Sequence, residues 1–261
     1  MYKKKVSEKF IKLIEIVEKL RSPDGCSWDR KQTPKSLIPY FLEETYEVIE
    51  SVDFENWDNL KEELGDVLLH IILQTQIGIE KNRFNVLDLL DTINRKLINR
   101  HPSVFGNDKT NTELDNQKKN WEELKYEEKN RKSRLDGVPL TLPALSRAQR
   151  LQEKASYSGF DWDDIGSVWE KVEEEIEELK EAQLHEDEKA IEEELGDLIF
   201  SIVNLSRFLN ISSEDALRNA NKKFANRFYK LEKSLLKEGK TFRNVSLEDL
   251  NRIWDKVKKE S

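Results

Sequence analysis

Acidic residues in two short motifs are the side chains of this sequence best suited to chemistry. Glu43-Glu44-x-x-Glu47 followed by Glu63-x-x-Asp66 in the first half recurs as Glu174-Glu175-x-x-Glu178 followed by Glu194-x-x-Asp197, and both motifs recur at an offset of 131 residues. Clustered carboxylate oxygens suit Mg²⁺ or Mn²⁺ rather than zinc. The motifs therefore predict two oxygen-ligand metal sites, formed by Glu43, Glu44, Glu47, Glu63 and Asp66 and by Glu174, Glu175, Glu178, Glu194 and Asp197.

The helical periodicity separates metal-facing carboxylates from solvated ones. Side chains advance about 100° per residue around a helix, so Val172, Ile176 and Leu179 form one apolar stripe. Glu175 and Glu178 flank this stripe, whereas the remaining glutamates of that helix lie further round or point away. The same geometry predicts a buried stripe with Leu195 and Ile202 on the next helix, flanked by Glu194 and Asp197. In the first half, Leu64 lies in the corresponding stripe, which Glu63 and Asp66 flank, and Glu44 and Glu47 flank the stripe of the partner helix. Packed antiparallel, such helices would bring four carboxylates together, and a divalent cation would relieve their repulsion.

Basic and aromatic residues in register with the acidic motifs are suited to binding a nucleotide. Lys223 and Arg227 lie four residues apart, hence on one helical face, and their copies are Lys96 and Arg100. Lysine and arginine bind phosphate oxygens, and no glycine-rich phosphate loop is present to do so instead. Helix-surface charges are the alternative interpretation. Trp254 and Trp162 are the candidates for stacking on a base, and a core role is the alternative.

Other classes of protein are excluded by the residue types. A di-iron carboxylate bundle uses Glu-x-x-His pairs, and none of the histidines His70, His101 and His185 follows a glutamate by three residues. The single cysteine, Cys26, excludes a disulfide-stapled fold and is interpreted as a packing residue. No apolar run is long enough to span a membrane. The net charge of −8 argues against a nucleic acid partner. We therefore expect a soluble protein of the reducing cytoplasm.

The elements that position these residues are long helices in two copies. Nine glycines and six prolines among 261 residues, with no strand-like alternation, predict an all-α fold. Five motifs recur at offsets of 127 to 134 residues, which predicts tandem helical-bundle domains over 1–135 and 136–261. The predicted helices cover 6–20, 37–52, 60–79, 86–100 and 118–132 in the first half, and 145–154, 165–185, 189–209, 214–236 and 247–258 in the second.

The motifs together resemble the MazG family of all-α nucleoside triphosphate pyrophosphohydrolases. The resemblance runs from about residue 13 to residue 258 and includes the tandem arrangement. It rests on both acidic motifs and on the segments Asp24-Gly25-Cys26-Ser27-Trp28-Asp29, Leu42-Glu43-Glu44-Thr45-Tyr46-Glu47, Arg100-His101-Pro102-Ser103-Val104-Phe105 and Gly159-Phe160-Asp161-Trp162.

The resemblance implies hydrolysis of NTPs and dNTPs to the monophosphate and pyrophosphate with Mg²⁺, in clearing aberrant nucleotides or adjusting nucleotide pools. Its metal ligands would be Glu175, Glu178, Glu194 and Asp197, with Glu174 beside them. Its phosphate contacts would be Lys223 and Arg227, and its terminal-helix tryptophan Trp254. Members are typically homodimers of four-helix bundles, and the C-terminal half is generally credited with activity. The first half here keeps all its acidic positions and its basic pair.

A mechanism and two alternatives follow as hypotheses. Water would attack the α-phosphorus, with the metal and the basic pair stabilising the departing pyrophosphate. Either Glu174 or Glu175 would orient the water or accept its proton. One alternative is a non-catalytic helical scaffold that binds a structural ion. The other is a specialised relative, such as a dUTP or dCTP hydrolase or a phosphoribosyl-ATP pyrophosphohydrolase, which would show one strongly preferred substrate.

Overall fold

The computed structural model describes residues 1–105, 126 and 132–259, and the described residues are helical with no β-strand. The chain forms two compact units, Met1–Asn111 and Thr112–Ser261, here called unit 1 and unit 2. The tandem all-α organisation predicted from the repeats is confirmed by this architecture. None of the described helices is apolar and long enough to cross a membrane. The predicted helix over 118–132 lies almost wholly outside the described residues.

Unit 1 is built around a helical hairpin. Its helices are α1 (Tyr2–Arg21), α2 (Ser27–Lys31), α3 (Ile38–Asp53), α4 (Trp57–Glu80), α5 (Val86–Arg100) and α6 (Pro102–Phe105). Helices α3 and α4 form the most extensive contact of the unit, and α1 packs on α4. The buried core consists of Val17, Leu37, Ile72, Leu73 and Ile77.

Unit 2 repeats this hairpin and surrounds it more fully. Its helices are α7 (Ala144–Tyr157), α8 (Ile165–Leu184), α9 (Glu188–Phe208), α10 (Ser213–Lys237) and α11 (Leu247–Lys259), with a 3₁₀ turn at Phe242–Asn244. Helices α8 and α9 pack against each other, α7 packs on α9 and α10, and α11 packs on α10. Val168, Val172 and Leu205 form a buried cluster between α8 and α9.

Side-chain caps define where the helices of each hairpin begin. The Asn56 side chain accepts a hydrogen bond from the Asn59 backbone at the start of α4, and Asp187 does the same for Lys189 and Ala190 at the start of α9. Such caps satisfy backbone N–H groups that have no partner within the helix. Since only a few residues separate the paired helices, the hairpins are antiparallel and bring the acidic motifs side by side.

The predicted apolar stripes are less buried than the periodicity indicated. Leu64 remains 51% exposed, and Leu195 and Ile202 each remain 46% exposed. The prediction that these residues are buried is therefore wrong for the single chain. The physical reason is that α4 and α9 have further apolar faces besides the one against their hairpin partners, and no described helix covers them. The domain boundary near residue 135 stays a prediction, because most residues between 112 and 135 lie outside the described ones.

Candidate metal centre

Three of the four predicted metal ligands of the second half come together between α8 and α9. Glu175 lies on α8, and Glu194 and Asp197 lie one turn apart on α9. Each contributes a carboxylate oxygen, and the three oxygens lie within 4.8 Å of one another. Oxygens of several carboxylates at such separations can share one divalent cation. We call these three residues the unit 2 triad.

Burial distinguishes Glu175 from an ordinary surface glutamate. Its relative exposure is 4%. Its Oε1 lies 2.7 Å from Lys171 Nζ, but its Oε2 is buried and accepts no hydrogen bond from a described residue. A buried carboxylate oxygen without a partner is costly unless a cation or donor satisfies it. The unit 2 triad therefore fits a bound divalent cation, independently of its resemblance to any family.

Lys171 is a functional neighbour that the sequence analysis missed. Its Nζ lies 2.9 Å from Glu174 Oε1 as well as 2.7 Å from Glu175 Oε1. Hydrogen bonds to these two carboxylates raise the pKa of Lys171, so it remains charged at neutral pH. Its spacing of three and four residues from the two glutamates was a signal that could have found it. Glu174 itself is exposed and lies outside the triad.

The remaining carboxylate, Glu178, lies next to the triad rather than within it. Its side chain is exposed, and the three mutually close oxygens do not include one of its own. Desolvation raises the pKa of Glu194, and the negative charges of Glu178, Glu175 and Asp197 raise it further. The negative charge of Glu178 thus acts on the triad, although its own oxygens are not among the three that lie close together.

Unit 1 contains a corresponding group formed by Glu44, Glu63 and Asp66, whose oxygens also lie within 4.8 Å of one another. The carboxyl group of Glu47 is close enough to both glutamates of this group to raise the pKa of each. Partial desolvation raises the pKa of Glu44 and Glu63, followed by the charges of their acidic neighbours. We call this group the unit 1 triad. Glu43, which the sequence placed with these residues, is exposed and outside it.

Apart from Trp162, the basic and aromatic residues that the sequence predicted to bind the nucleotide lie on α10 and α11 in unit 2, and the corresponding basic pair lies on α5 in unit 1. Lys223 is exposed on α10, and Arg227 is half-buried with an Nε that no described residue accepts from. Trp254 of α11 packs against Phe224, with ring centroids 5.4 Å apart. In unit 1, Lys96 is half-buried and Arg100 is buried on α5. None of these residues contributes to a triad.

A cavity of about 740 Å³ opens beside the unit 2 triad. Glu175 and Asp197 line it, together with Lys171. Trp162, one of the predicted stacking residues, also lines it, whereas Lys223, Arg227 and Trp254 do not. Asp161 and Arg207 form an ion pair at its wall although 46 residues separate them, so no local sequence signal could have revealed the contact. The volume is within the range of small-molecule sites.

The comparisons with known proteins agree with this arrangement. The model of the MazG nucleotide pyrophosphohydrolase domain matches residues 32–105 and 165–231, which contain the two triads. The chain is 50% identical over 251 residues to the nucleoside triphosphate pyrophosphohydrolase/pyrophosphatase MazG of Thermotoga maritima, covering 95% of both chains.

Two further relatives extend the comparison. The nucleoside triphosphate pyrophosphohydrolase of Escherichia coli K12 is 40% identical over 255 residues, covering 95% of this chain and 97% of the relative. The uncharacterized protein YabN of Bacillus subtilis is 43% identical over 249 residues, with 93% of this chain covering 50% of that protein. With the domain matched in both halves and full-length relatives at up to 50% identity, this chain belongs to the MazG nucleotide pyrophosphohydrolase family.

Proposed function

We propose that the protein hydrolyses ribo- and deoxyribonucleoside triphosphates to the nucleoside monophosphate and pyrophosphate, with the chemistry at the unit 2 triad. The observation that carries this proposal is the buried Glu175, which has an unpartnered oxygen and belongs to a carboxylate triad on the wall of a nucleotide-sized cavity. Membership of the MazG family supplies the reaction class. The biological role would be the clearing of aberrant nucleotides or the adjustment of nucleotide pools.

We propose Mg²⁺ as the cofactor, with Mn²⁺ as a substitute, held by Glu175, Glu194 and Asp197 and supported by Glu178. The all-oxygen donor set is the reason, since these hard cations prefer carboxylate ligands. A bound Mg²⁺ activates water and neutralises negative charge on the triphosphate. The chain's own contribution is to hold the ligand oxygens together in a partly desolvated seam between two packed helices.

We assign different roles to the adjacent glutamates. Glu175 is buried and belongs to the triad, which supports its proposed role as a metal ligand. Glu174 is exposed and lies outside the triad, and its Oε1 is bound to Lys171. Because it is close to the centre but not committed to ligation, Glu174 is our candidate for orienting the attacking water and accepting its proton.

Positive charge for the phosphates comes from the basic pair in this proposal. Arg227 has a buried Nε without an acceptor among the described residues, so an anionic ligand that reached it would satisfy this donor. Lys223 lies one helical turn away and is exposed. Lysine acts on phosphate as a point charge, and arginine binds it through its planar fork. Trp254 would contact the nucleotide from the neighbouring helix α11.

The two units differ in ways that favour unit 2 as the catalytic one. Applying the motif offset of 131 residues, Lys171 corresponds to Tyr40, and the cavity residue Asn204 corresponds to Leu73. Leu73 is part of the buried core of unit 1. We therefore propose that the unit 1 triad holds a second divalent cation without supporting turnover. The buried His70, whose Nδ1 accepts or donates no hydrogen bond among the described residues, lies near Asp66 and adds an unsatisfied polar group there.

A homodimer in the cytoplasm completes the proposal. Apolar side chains along α8 and α9 remain exposed in the single chain, among them Ile176, Leu195, Ile199 and Ile202. A second copy would cover such faces, since monomeric proteins rarely expose large contiguous apolar patches. A nucleoside triphosphate substrate and the single free Cys26 are consistent with the reducing cytoplasm. Light scattering of the purified protein measures the oligomeric state directly.

The experiment that tests the function is product analysis by ion exchange after incubation with an NTP and dNTP panel and Mg²⁺. Monophosphate and pyrophosphate are expected, because attack at the α-phosphorus releases this pair. Diphosphate with orthophosphate would instead show attack at the γ-phosphorus and contradict the proposal. Stabilisation by Mg²⁺ without turnover would indicate the scaffold, and a single strongly preferred substrate would indicate the specialised relative.

A further inference from the structure

One wall of the unit 2 cavity carries Gln152 of α7, a buried side-chain amide with an unused acceptor. Gln152 is 8% exposed, and its Nε2 donates to the Phe200 carbonyl oxygen over 2.8 Å. This contact fixes the amide, because the flipped orientation would bring two oxygens together. The Oε1 is therefore directed elsewhere, and it is buried without a partner among the described residues. An unpaired buried acceptor is costly, so a ligand N–H that reaches it would be strongly favoured.

Asn204 of α9 supplies the complementary donor on the same cavity. Its Oδ1 accepts a hydrogen bond from Arg207 Nε over 3.0 Å. Arg207 is itself fixed, since its other two guanidinium nitrogens donate to Asp161. The oxygen of Asn204 is thus committed, which leaves its Nδ2 as a donor that no described residue occupies. Both amides line the cavity whose wall also includes the metal-binding carboxylates Glu175 and Asp197.

Aromatic rings complete the lining. Phe160, Trp162 and Phe200 all line the cavity, and each retains exposed ring surface. The Asp161–Arg207 ion pair ties the loop that carries Phe160 and Trp162 to α9. A planar aromatic ligand gains from stacking on such side chains, irrespective of its substituents. The cavity thus combines flat apolar surface with one acceptor and one donor.

We propose that this cavity binds the nucleobase and that Gln152 and Asn204 read its polar edge. Gln152 Oε1 accepts from a base N–H, and Asn204 Nδ2 donates to an adjacent ring nitrogen or carbonyl oxygen of the base. Enzymes that enclose a base commonly combine stacking with hydrogen bonds to its Watson–Crick edge. This inference rests on the proposed function, because it names the specificity residues of the same site. The equivalent positions in unit 1 are Glu18 and Leu73, so the amide pair belongs to unit 2 alone within the repeat.

The test compares natural substrates with analogues that lack the base N–H. Purine riboside 5′-triphosphate keeps the ring nitrogen acceptor of ATP but has no 6-amino group, and pyrimidin-2-one riboside triphosphate relates to CTP in the same way. We expect wild-type kcat/KM to favour the natural member of each pair by roughly tenfold or more, because sites built to bind an N–H reject analogues without it. In Gln152→Met the acceptor is gone, and the ratio should fall towards one. The matched control Gln183→Met, at an exposed position of α8, should keep the wild-type ratio.

A binding measurement with a second variant makes the test independent of turnover and of the fold of one mutant. Asn204→Asp keeps an oxygen for Arg207 but replaces the donor by an acceptor. We expect it to weaken binding of α,β-methylene ATP roughly tenfold while its thermal unfolding temperature stays close to that of the wild type. If the wild type hydrolyses triphosphates but both variants keep wild-type ratios and affinities, the base-reading inference is wrong and the proposed function stands. If the wild type binds α,β-methylene ATP but turns over no triphosphate, the proposed function fails instead.

Discussion

The side chains of the unit 2 triad are more than an acidic surface, because Glu175 is buried while its neighbours on α8 remain exposed. The triad gathers three negative charges, and Lys171 is the cation that balances part of them. At residue scale, the centre is therefore an electrostatic arrangement that a divalent cation would complete.

Replacing Glu194 by Gln should reduce kcat by at least about a hundredfold while leaving the protein folded. The amide has nearly the same shape but removes one charged ligand oxygen from the triad, so metal binding and catalysis suffer together. Steady-state turnover and circular dichroism measure the two effects. The matched control is Glu192→Gln, an exposed neighbour on α9 that should keep full activity. Wild-type turnover in the Glu194 variant would place the catalytic centre elsewhere.

Replacing Lys171 by Met should lower the thermal unfolding temperature without metal and enlarge the increase that Mg²⁺ produces. Lys171 is the positive partner of the buried Glu175, whose charge would be left unpaired in the variant. Loss of one partner of a buried ion pair typically costs about 3–5 kcal/mol, and the half-exposed lysine places this case below that range. Thermal unfolding with and without millimolar Mg²⁺ tests it, with the exposed Lys180→Met as control. We expect Lys171 and Mg²⁺ to compete for the carboxylate of Glu175. An equal increase in unfolding temperature with Mg²⁺ in the wild type and in the Lys171 variant would contradict this expectation.

The stabilisation by Mg²⁺ should disappear as the pH falls towards the ordinary glutamate pKa of 4.5. Desolvation and like charges raise the pKa of Glu194 and Glu63 above this value, so the folded protein without metal takes up protons earlier than the unfolded chain. The stability that these two carboxyl groups contribute without metal is therefore present at low pH. It is lost as the pH rises through their raised pKa values in the folded state. Mg²⁺ requires the ionised carboxylates, so its effect has the opposite dependence. The difference in unfolding temperature with and without Mg²⁺, measured from pH 4 to pH 8, isolates the effect of the ion. A difference that stays constant over this range would contradict the prediction.

At the scale of elements, the hairpin of α8 and α9 determines the spacing of the ligands, because one helix supplies Glu175 and the other supplies Glu194 and Asp197. The two helices are held by apolar contacts at their far end and by the Asp187 cap at their connection. Each triad consequently depends on one antiparallel helix pair. The loop with Phe160 and Trp162 is tied to the same hairpin through Asp161 and Arg207.

Replacing Asp187 by Ala should destabilise unit 2 by about 0.5–2 kcal/mol, because two backbone N–H groups of α9 lose their side-chain acceptor. Denaturant unfolding measures this loss. Addition of Mg²⁺ should offset part of the lost stability, because an ion that binds the folded state stabilises that state. Glu186→Ala, at the adjacent residue, removes a side chain that does not cap the helix and serves as the control. Equal stability of the two variants would show that the cap does not contribute.

At the scale of the whole molecule, duplication has produced two units with the same acidic framework and different surroundings. In unit 1, the core residue Leu73 occupies the position that corresponds to Asn204 of the cavity. Tyr40 occupies the position that corresponds to Lys171. Shared ligands with divergent surroundings are consistent with one unit that binds metal and one that also processes substrate. The exposed apolar faces of α8 and α9 are the surfaces that the proposed homodimer would cover.

Equivalent substitutions in the two units should therefore have unequal effects. Glu63→Gln should leave turnover within about twofold of the wild type, whereas Glu194→Gln should abolish it, because the unit 2 triad lies beside the cavity in which we propose that the substrate binds. Both variants should lose part of the stabilisation by Mg²⁺, since we propose that each triad binds the ion in the folded state. Turnover and thermal unfolding of the two proteins measured side by side provide the comparison. Loss of activity in Glu63→Gln would assign a catalytic role to unit 1.

The sequence by itself determined the class of fold, the duplication and the acidic motifs. Helix positions followed from a local property, the 3.6-residue periodicity with few glycines and prolines, and the described helices begin and end within a few residues of the predicted bounds. The ligand candidates followed because residues three apart share a helical face, and repetition of the pattern made coincidence an unlikely explanation. The family resemblance rested on the same motifs and is confirmed.

Only the tertiary structure decided which of these carboxylates come together and what surrounds them. Glu178 and Glu47 lie outside the triads, and Leu195 and Ile202 stay exposed, because burial depends on which helices pack against each face. The cavity, the unpaired acceptor of Gln152 and the Asp161–Arg207 ion pair join residues far apart in the chain. Such contacts carry no local periodicity, so the packing of α7, α8 and α9 had to be known before this part of the site could be recognised.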